Sequence, residues 1–215
     1  MAVTLAALRS ADAALAAELH RAAFPGFFLS SLGTRFLTEF YRGFINEPTA
    51  VTVAAHSVDG LLVGAAVGTT DPEAFFRRLV RRRFVRFFAA AAVAALRAPN
   101  RSLRLLRAAR YRGVEGAPQA PGALLSSIWV APEAQDTGIG RLLLGAWLDS
   151  AASAGAERAY LTTDAAENAS VNEFYTRNGW TLTSTYATKE GRQMNVYTAP
   201  THRQSALGPG GTSGT

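Results

Sequence analysis

The chain of 215 residues contains no cysteine. This absence excludes disulfide bonds, catalytic thiolates and cysteine-ligated metal centres, and it favours a cytoplasmic protein. The three histidines, His20, His56 and His202, lie far apart and follow none of the spacings of metal-binding motifs. The sequence therefore predicts no metal site.

Long hydrophobic runs are also missing. No stretch reaches the roughly 18 consecutive apolar residues of a membrane span, and the nearest, residues 87–96, is much shorter. Arg9, Asp12 and Glu18 interrupt the N-terminal stretch where a secretory signal needs an unbroken apolar run. We therefore expect no transmembrane segment. Hydrophobic residues nevertheless make up 48% of the chain, which is enough for the core of one domain over 1–202, with 203–215 as a flexible tail.

Lysine is nearly absent, and the basic charge is concentrated in one stretch. Residues 71–118 hold 12 of the 22 basic side chains and 3 of the 16 acidic ones, a net charge of +9, and all 12 are arginine. Three interpretations remain open for this predicted helical insertion. Its apolar face packs on the domain with the arginines solvated or paired, its arginines attract an anionic acceptor, or it contacts nucleic acid or a membrane surface.

The remaining sequence alternates between strand and helix patterns. Hydrophobic periodicity and turn residues predict strands at 3–8, 50–58, 60–70, 123–132, 158–165, 181–188 and 192–199, and helices at 10–24, 28–46, 138–155 and 168–178. Asp59-Gly60 predicts a hairpin, and Gly155 a helix end. This order indicates a mixed α/β sheet with helices packed on it.

Two glycines stand where the 138–155 helix begins. Glycine removes the Cβ that would keep an anion from the free N–H groups of a first helical turn, but for Gly138 and Gly140 taken alone a tight turn without a ligand is the favoured explanation. The P-loop pattern fails because Ala146-Trp147 replaces Lys-Ser/Thr. The dinucleotide fingerprint matches weakly, because Leu143 replaces its third glycine and the glycines do not follow directly on the strand.

A third motif matches much better. The stretch resembles the [Gln/Arg]-x-x-Gly-x-[Gly/Ala] signature of the GNAT superfamily of N-acetyltransferases, with Gln135, Gly138 and Gly140 in register. The family's second signature, Asn-x-x-Ala-x-x-[Phe/Leu]-Tyr-x-x-x-Gly-[Phe/Trp], is similar to residues 168–180, where Val171 stands in place of alanine. The resemblance implies a mixed, mostly antiparallel sheet flanked by helices, with 71–118 as an insertion outside the common fold.

The resemblance also implies the chemistry and its residues. Acetyl-CoA is the co-substrate, an amine attacks the thioester directly, the Val130 backbone N–H stabilises the oxyanion and Tyr175 acts as the general acid. Asn168 either binds the pantetheine arm or caps its helix, or does both, and packing on the sheet is the alternative role for Tyr175. The full set implied to bind acetyl-CoA is Trp129, Val130, Gln135, Asp136, Thr137, Gly138, Ile139, Gly140, Arg141, Asn168 and Tyr175.

The acceptor side carries no motif. A general base is expected because alkyl amines are mostly protonated at neutral pH, and His20, Glu39 and Ser126 are the candidates, although a helix-surface position is favoured for His20. Residues 20–36 should line the acceptor cleft, so His20, Phe27, Phe28 and Ser126 are predicted to bind the substrate, and the insertion should project near the acceptor end of the cleft.

These observations predict an N-acetyltransferase acting on the primary amine of a small molecule, with an anionic amino sugar nucleotide as one example. A protein or peptide amine acetyltransferase is one alternative. The other is a non-catalytic module of the same fold that binds nucleic acid or membrane through the insertion, although neither partner is favoured. A homodimer is compatible with the sequence.

Overall fold

The computed structural model describes residues 1–25, 30, 32–79, 81, 120–188 and 191–202. The predicted substrate residues Phe27 and Phe28 lie outside this described part. So do most of the predicted insertion, from residue 82 to 118, and the predicted tail at 203–215. No described helix is both long enough and apolar enough to cross a bilayer.

In the described ranges, seven strands and the four helices named here follow the predicted order closely. The strands are β1 (Val3–Ala6), β2 (Ala50–Ser57), β3 (Leu62–Thr69), β4 (Ala123–Val130), β5 (Arg158–Asp164), β6 (Thr181–Ala187) and β7 (Gln193–Pro200). The helices are α1 (Ala13–Ala23), α2 (Thr34–Phe44), α3 (Ile139–Ser153) and α4 (Ala169–Arg177). Gly60 and Gly155, at the predicted hairpin and helix end, have φ values of 77° and 87°. Both predicted breaks therefore use the left-handed conformation that glycine tolerates.

The strands form one sheet in the order β1-β2-β3-β4-β5-β7-β6. Every neighbouring pair is antiparallel except β4 and β5, which are parallel. This confirms the predicted mixed, mostly antiparallel sheet flanked by helices.

A separate hydrophobic core covers each face of the sheet. On one face α3 packs through Leu143, Leu144 and Trp147, together with Tyr175 of α4. On the other face α1 and α2 pack through residues such as Leu37, Tyr41 and Phe44. The two helix pairs therefore enclose the sheet from opposite faces.

The first part of the arginine-rich segment packs against the domain. Residues 72–79 are helical, Phe75 is buried and stacks on Phe44 of α2 with 4.5 Å between ring centroids, and Arg78 donates to Glu47 Oε1 at 2.6 Å. Because Thr69 pairs with Leu124, the segment leaves the sheet at the edge where β4 starts.

Candidate functional site

The only parallel strand pair in the described sheet separates soon after it forms. Partners between β4 and β5 are Ala123 with Ala159 and Leu124 with Tyr160. Beyond them β4 continues to pair with β3 as far as Val130, and β5 continues to pair with β7 as far as Asp164. The two strands therefore diverge and leave a wedge-shaped opening in the sheet, which we call the splay.

A β-bulge in β4 lies at the base of the splay. Val67 and Gly68 of β3 pair with Ser127 and Leu125, so Ser126 is the extra residue. An extra residue reverses the alternation of side chains. Leu125 accordingly packs on the α3 face, whereas Trp129 packs on the α1–α2 face. The β3 residue at this point has to be very small, because a Cβ on Gly68 would overlap the Trp147 ring and the Leu124 carbonyl.

The backbone of β4 directs donors into the splay. Ala131 donates its N–H to Val63 O of β3 at 2.8 Å. Since successive N–H groups of a strand point in opposite directions, the N–H groups of Val130 and Ile128 point away from β3, toward β5. The Gln135 side-chain amide donates to Val130 O at 3.3 Å, so Gln135 lies at the rim of this opening.

The two glycines have different structural roles. Gly138 is the residue before α3 and has φ 84°, a left-handed conformation that glycine adopts without strain. Gly140 lies inside α3, and a Cβ there would lie 3.5 Å from the Phe174 ring and 3.7 Å from Val130 Cγ2, at ordinary contact distances. The turn therefore explains Gly138, whereas nothing in the described protein requires glycine at 140.

The loop before α3 presents backbone N–H groups and a positive charge. Its helix has no side-chain cap and no acidic residue in the first turn, and Arg141 is exposed there. A cation in this position opposes the helix dipole, so Arg141 does not stabilise the helix and adds to the positive potential of the loop. Asp136 has φ 60°, and Thr137 donates to Ala134 O at 2.6 Å. Ile139 is buried in the core, which leaves its backbone as the part that a ligand can reach.

Tyr175 is nearly fully buried beside the splay. It is 7% exposed and its ring packs near Trp180 and Tyr197, with centroids 5.9 and 5.8 Å away. Burial raises the pKa of Tyr175 above its ordinary value of 10.0, so the hydroxyl keeps its proton at neutral pH. The preceding residue, Phe174, is the one that lies against Gly140. Tyr175 therefore packs on the sheet and also belongs to the helix that borders the glycine loop.

Asn168 occupies the N-cap position of α4 without capping it through its side chain. Its amide nitrogen donates to Thr163 Oγ1 at 2.7 Å and to Asp164 O at 3.2 Å. Both amide hydrogens therefore hold the end of β5, and Oδ1 is the remaining hydrogen-bonding atom of the side chain. The predicted capping role is thus limited to the backbone position.

The fold places the three candidates for the general base in different surroundings. His20, for which a helix-surface position was favoured, is instead buried at 3% exposure, because α1 turns it toward α2 and β4. Ser126 lies in the bulge, and its hydroxyl is buried with no hydrogen-bond partner among the described residues. Glu39 forms a salt bridge with Arg42 at 2.8 Å on α2.

Three side chains at this site were not among the predicted site residues. Phe174 borders Gly140, and Tyr41 and Ser127 form hydrogen bonds with His20. Phe174 occupies the [Phe/Leu] position of the second signature, which could have indicated it. No local pattern indicated the pairing of Tyr41 with Ser127, which are 86 residues apart.

Within the described ranges, no group of three or more histidine or carboxylate side chains could hold a metal ion. Trp129, predicted among the cofactor residues, is 2% exposed and packs in the core beneath α1 and α2. Its side chain therefore does not line the glycine loop.

Comparison with known proteins identifies the fold and the family. The model of the Acetyltransferase (GNAT) family matches residues 15–180, whereas a search of curated proteins found no match. Among solved structures, a chain assigned to the GNAT family from Desulfovibrio desulfuricans is 17% identical, with a TM-score of 0.61 and coverage of 94% of this chain and 100% of that one.

Two further structures share the fold. The ribosomal-protein-S18-alanine N-acetyltransferase from Escherichia coli is 15% identical, with a TM-score of 0.57 and coverage of 96% and 98% of the two chains. YncA from Salmonella typhimurium, solved with its cofactor acetyl-CoA, is 16% identical, with the same TM-score and coverage. At these identities the similarity extends to the fold and leaves the acceptor open.

Proposed function

Because the chain belongs to the GNAT family of acetyltransferases, we propose that it transfers an acetyl group from acetyl-CoA to the primary amine of a small molecule. That it is an N-acetyltransferase using acetyl-CoA follows from the family; the acceptor class and the residues below are our proposal. One observation carries it. The glycine loop, the splay and α4 meet at Gly140, whose missing Cβ would contact Val130 of β4 and Phe174 of α4.

The residues around the loop fit the phosphates of acetyl-CoA. The N–H groups of the first turn of α3 and the exposed Arg141 together favour an anion. Packing in the described protein would accept a Cβ at position 140. Because packing does not require glycine there, close approach of a ligand is a reason for Gly140. We propose that residues 135–141 bind the pyrophosphate through their backbone, and that Asn168 Oδ1 accepts an N–H of the pantetheine arm.

Acetyl-CoA supplies the acetyl group as a thioester, whose carbonyl carbon the acceptor amine attacks. In the proposal the Val130 N–H, which points into the splay, stabilises the negative charge on the carbonyl oxygen. Removing one such donor typically costs about 10²–10³ in kcat. As the C–S bond breaks, Tyr175 donates a proton to the departing sulfur, and the proton that the attacking nitrogen loses is returned to Tyr175 through solvent. The raised pKa of Tyr175 keeps its hydroxyl protonated before the step.

The arginine-rich segment bears on the charge of the acceptor. Arg77 pairs with Glu73 of the same segment at 3.3 Å, and Arg78 pairs with Glu47 outside it at 2.6 Å, which supports the interpretation that these two arginines are paired within the protein. Arg81 is exposed. An anionic acceptor such as an amino sugar nucleotide therefore depends on Arg81 and on the arginines that follow it.

The test is release of free CoA from acetyl-CoA in the presence of glucosamine, glucosamine 6-phosphate, spermidine or an alanyl peptide. We expect one of the small amines to release CoA faster than the peptide does. If CoA is released only in the presence of the peptide, the acceptor is a peptide amine and not a small molecule. A protein that binds acetyl-CoA but releases CoA with none of the four acceptors would contradict the proposed acceptor class.

A further inference from the structure

Three polar side chains from three elements meet on the α1–α2 face of β4. His20 Nδ1 lies 2.7 Å from the Tyr41 hydroxyl, and Ser127 Oγ lies 3.3 Å from each of them. His20 is 3% exposed and Tyr41 0%. The chemistry described above uses none of the three, although buried polar groups are costly unless they are satisfied. We call them the His20–Tyr41–Ser127 cluster.

The cluster lies at the base of the splay. Ser127 follows the bulge residue and is three residues beyond the last β4–β5 partner, Leu124. Its side chain faces α1 and α2, as the contacts with His20 and Tyr41 show, whereas α3 and α4 lie on the opposite face. The neighbouring Ser126 hydroxyl is buried and unpartnered among the described residues. The Ser126 and Ser127 hydroxyls therefore provide hydrogen-bonding groups at the base of the splay.

The hydrogen bonds of the cluster allow the Ser127 oxygen to be a pure acceptor. Burial lowers the pKa of His20 to about 4, so its ring is neutral and one of its two nitrogens is an acceptor. When the ring proton is on Nε2, Nδ1 accepts the hydrogen of Tyr41 and the Tyr41 oxygen accepts the hydrogen of Ser127. In this tautomer Ser127 Oγ keeps only lone pairs, so it accepts a hydrogen bond but cannot donate a second one.

No hydrogen bond between the three members of the cluster involves a charged side chain. Burial also raises the pKa of Tyr41. The charged side chains Glu18, Arg21, Arg35 and Arg42 of α1 and α2 are exposed, and Glu39, whose side chain is 12% exposed, is bonded to Arg42. On β3 the neighbour of Ser127 is Val67, which is apolar. A neutral amine suits these partners better than an ammonium ion, which needs a counter-ion when it is buried.

We propose that Ser127 binds the acceptor amine by accepting one of its N–H groups, and that Tyr41 and His20 are positioning residues that hold Ser127 Oγ in the accepting orientation. The amine enters as the free base, and its nitrogen lone pair stays available for attack. This inference rests on the proposed function, because it assigns the acceptor side of the same splay.

The kinetic test compares Ser127→Ala and Tyr41→Phe with the wild type, and uses Ser184→Ala on the exposed strand β6 as the matched control. The acceptor is whichever of glucosamine, glucosamine 6-phosphate, spermidine or the alanyl peptide releases CoA fastest. We expect Ser127→Ala to raise KM for that amine about three- to tenfold, the range of one lost hydrogen bond, with the acetyl-CoA affinity unchanged. Tyr41→Phe should raise the same KM less, and Ser184→Ala should not change it.

An unchanged KM in a folded Ser127→Ala variant would overturn the inference while leaving the proposed function intact. Failure of the proposed function looks different, because the wild type itself would then release CoA with none of the four amines, or with the peptide alone. If Ser127→Ala does not fold, the NMR signals of the histidine rings in the wild type test the inference instead. With CoA bound, adding the amine should shift the His20 signals and leave those of His56 and His202 in place. No shift at His20 would refute the assignment.

Discussion

Acidification should destabilise the protein through His20. The side chain is 3% exposed, and burial lowers its pKa from 6.5 to about 4. Above pH 6.5 the ring is neutral in both the folded and the unfolded chain, so its contribution does not vary. Below pH 6.5 the unfolded chain binds a proton that the folded chain does not, and the free energy of unfolding falls until about pH 4. At about 1.4 kcal/mol per pH unit, the difference between the pKa values of His20 in the unfolded and folded chains lowers the free energy of unfolding by about 3 kcal/mol.

The measurement is urea unfolding at pH 7 and pH 4 for the wild type and His20→Gln. Glutamine does not titrate, and its amide oxygen can still accept the Tyr41 hydrogen. Asp12, whose pKa the Arg9 guanidinium holds low against the effect of burial, also loses stabilisation on acidification, but it is present in both proteins and cancels. We expect the wild type to lose about 3 kcal/mol more than the variant. Equal losses would show that His20 is protonated in the folded protein, and the uncharged cluster would be refuted.

Three further predictions follow from individual residues. Gly138→Ala should destabilise the fold by about 1–2 kcal/mol because of its left-handed backbone, whereas Gly140→Ala should leave thermal stability equal or slightly higher; similar losses would contradict their different roles. Tyr175→Phe should lower kcat at least about tenfold with acetyl-CoA affinity unchanged, and full kcat would reduce Tyr175 to a packing residue. Arg81→Ala should raise KM for glucosamine 6-phosphate but not for glucosamine, by a factor that shrinks with salt, and Arg77→Ala is the paired control; equal effects on both amines would remove the anionic acceptor.

The local patterns of the sequence predicted most elements because each pattern carries its own physical cause. Asp59-Gly60 and Gly155 mark their turns through backbone freedom, and the signature around Gly138 placed the start of α3 correctly. Helix α2 begins only at Thr34, later than its apolar stripe indicated, because Gly33 before it has φ 86°. These features depend on residues close together in the chain.

The burial of His20 and the side on which Ser127 lies could not be read from the sequence. Both depend on the bulge at Ser126, which exists only in the register between β3 and β4. The site of the bulge coincides with Gly68, where the Trp147 ring leaves no space for a Cβ. That contact joins residues from separate strands and helices, so no window of neighbouring residues contains it. The partner of His20 in α2 is likewise set by helix packing rather than by a local pattern.

The most direct test of the acetyl-CoA site is a calorimetric titration of acetyl-CoA into the wild type and Gly140→Glu, with thermal unfolding as the control for folding. A side chain at 140 meets Phe174 and Val130 at ordinary contact distances, so the variant should fold. Its carboxylate would stand against the pyrophosphate, and like charges about 4 Å apart near a protein surface repel by about 4 kcal/mol. We predict that the wild type binds and that Gly140→Glu binds at least about a hundredfold more weakly at an unchanged melting temperature. Equal affinities for the two proteins would contradict the account.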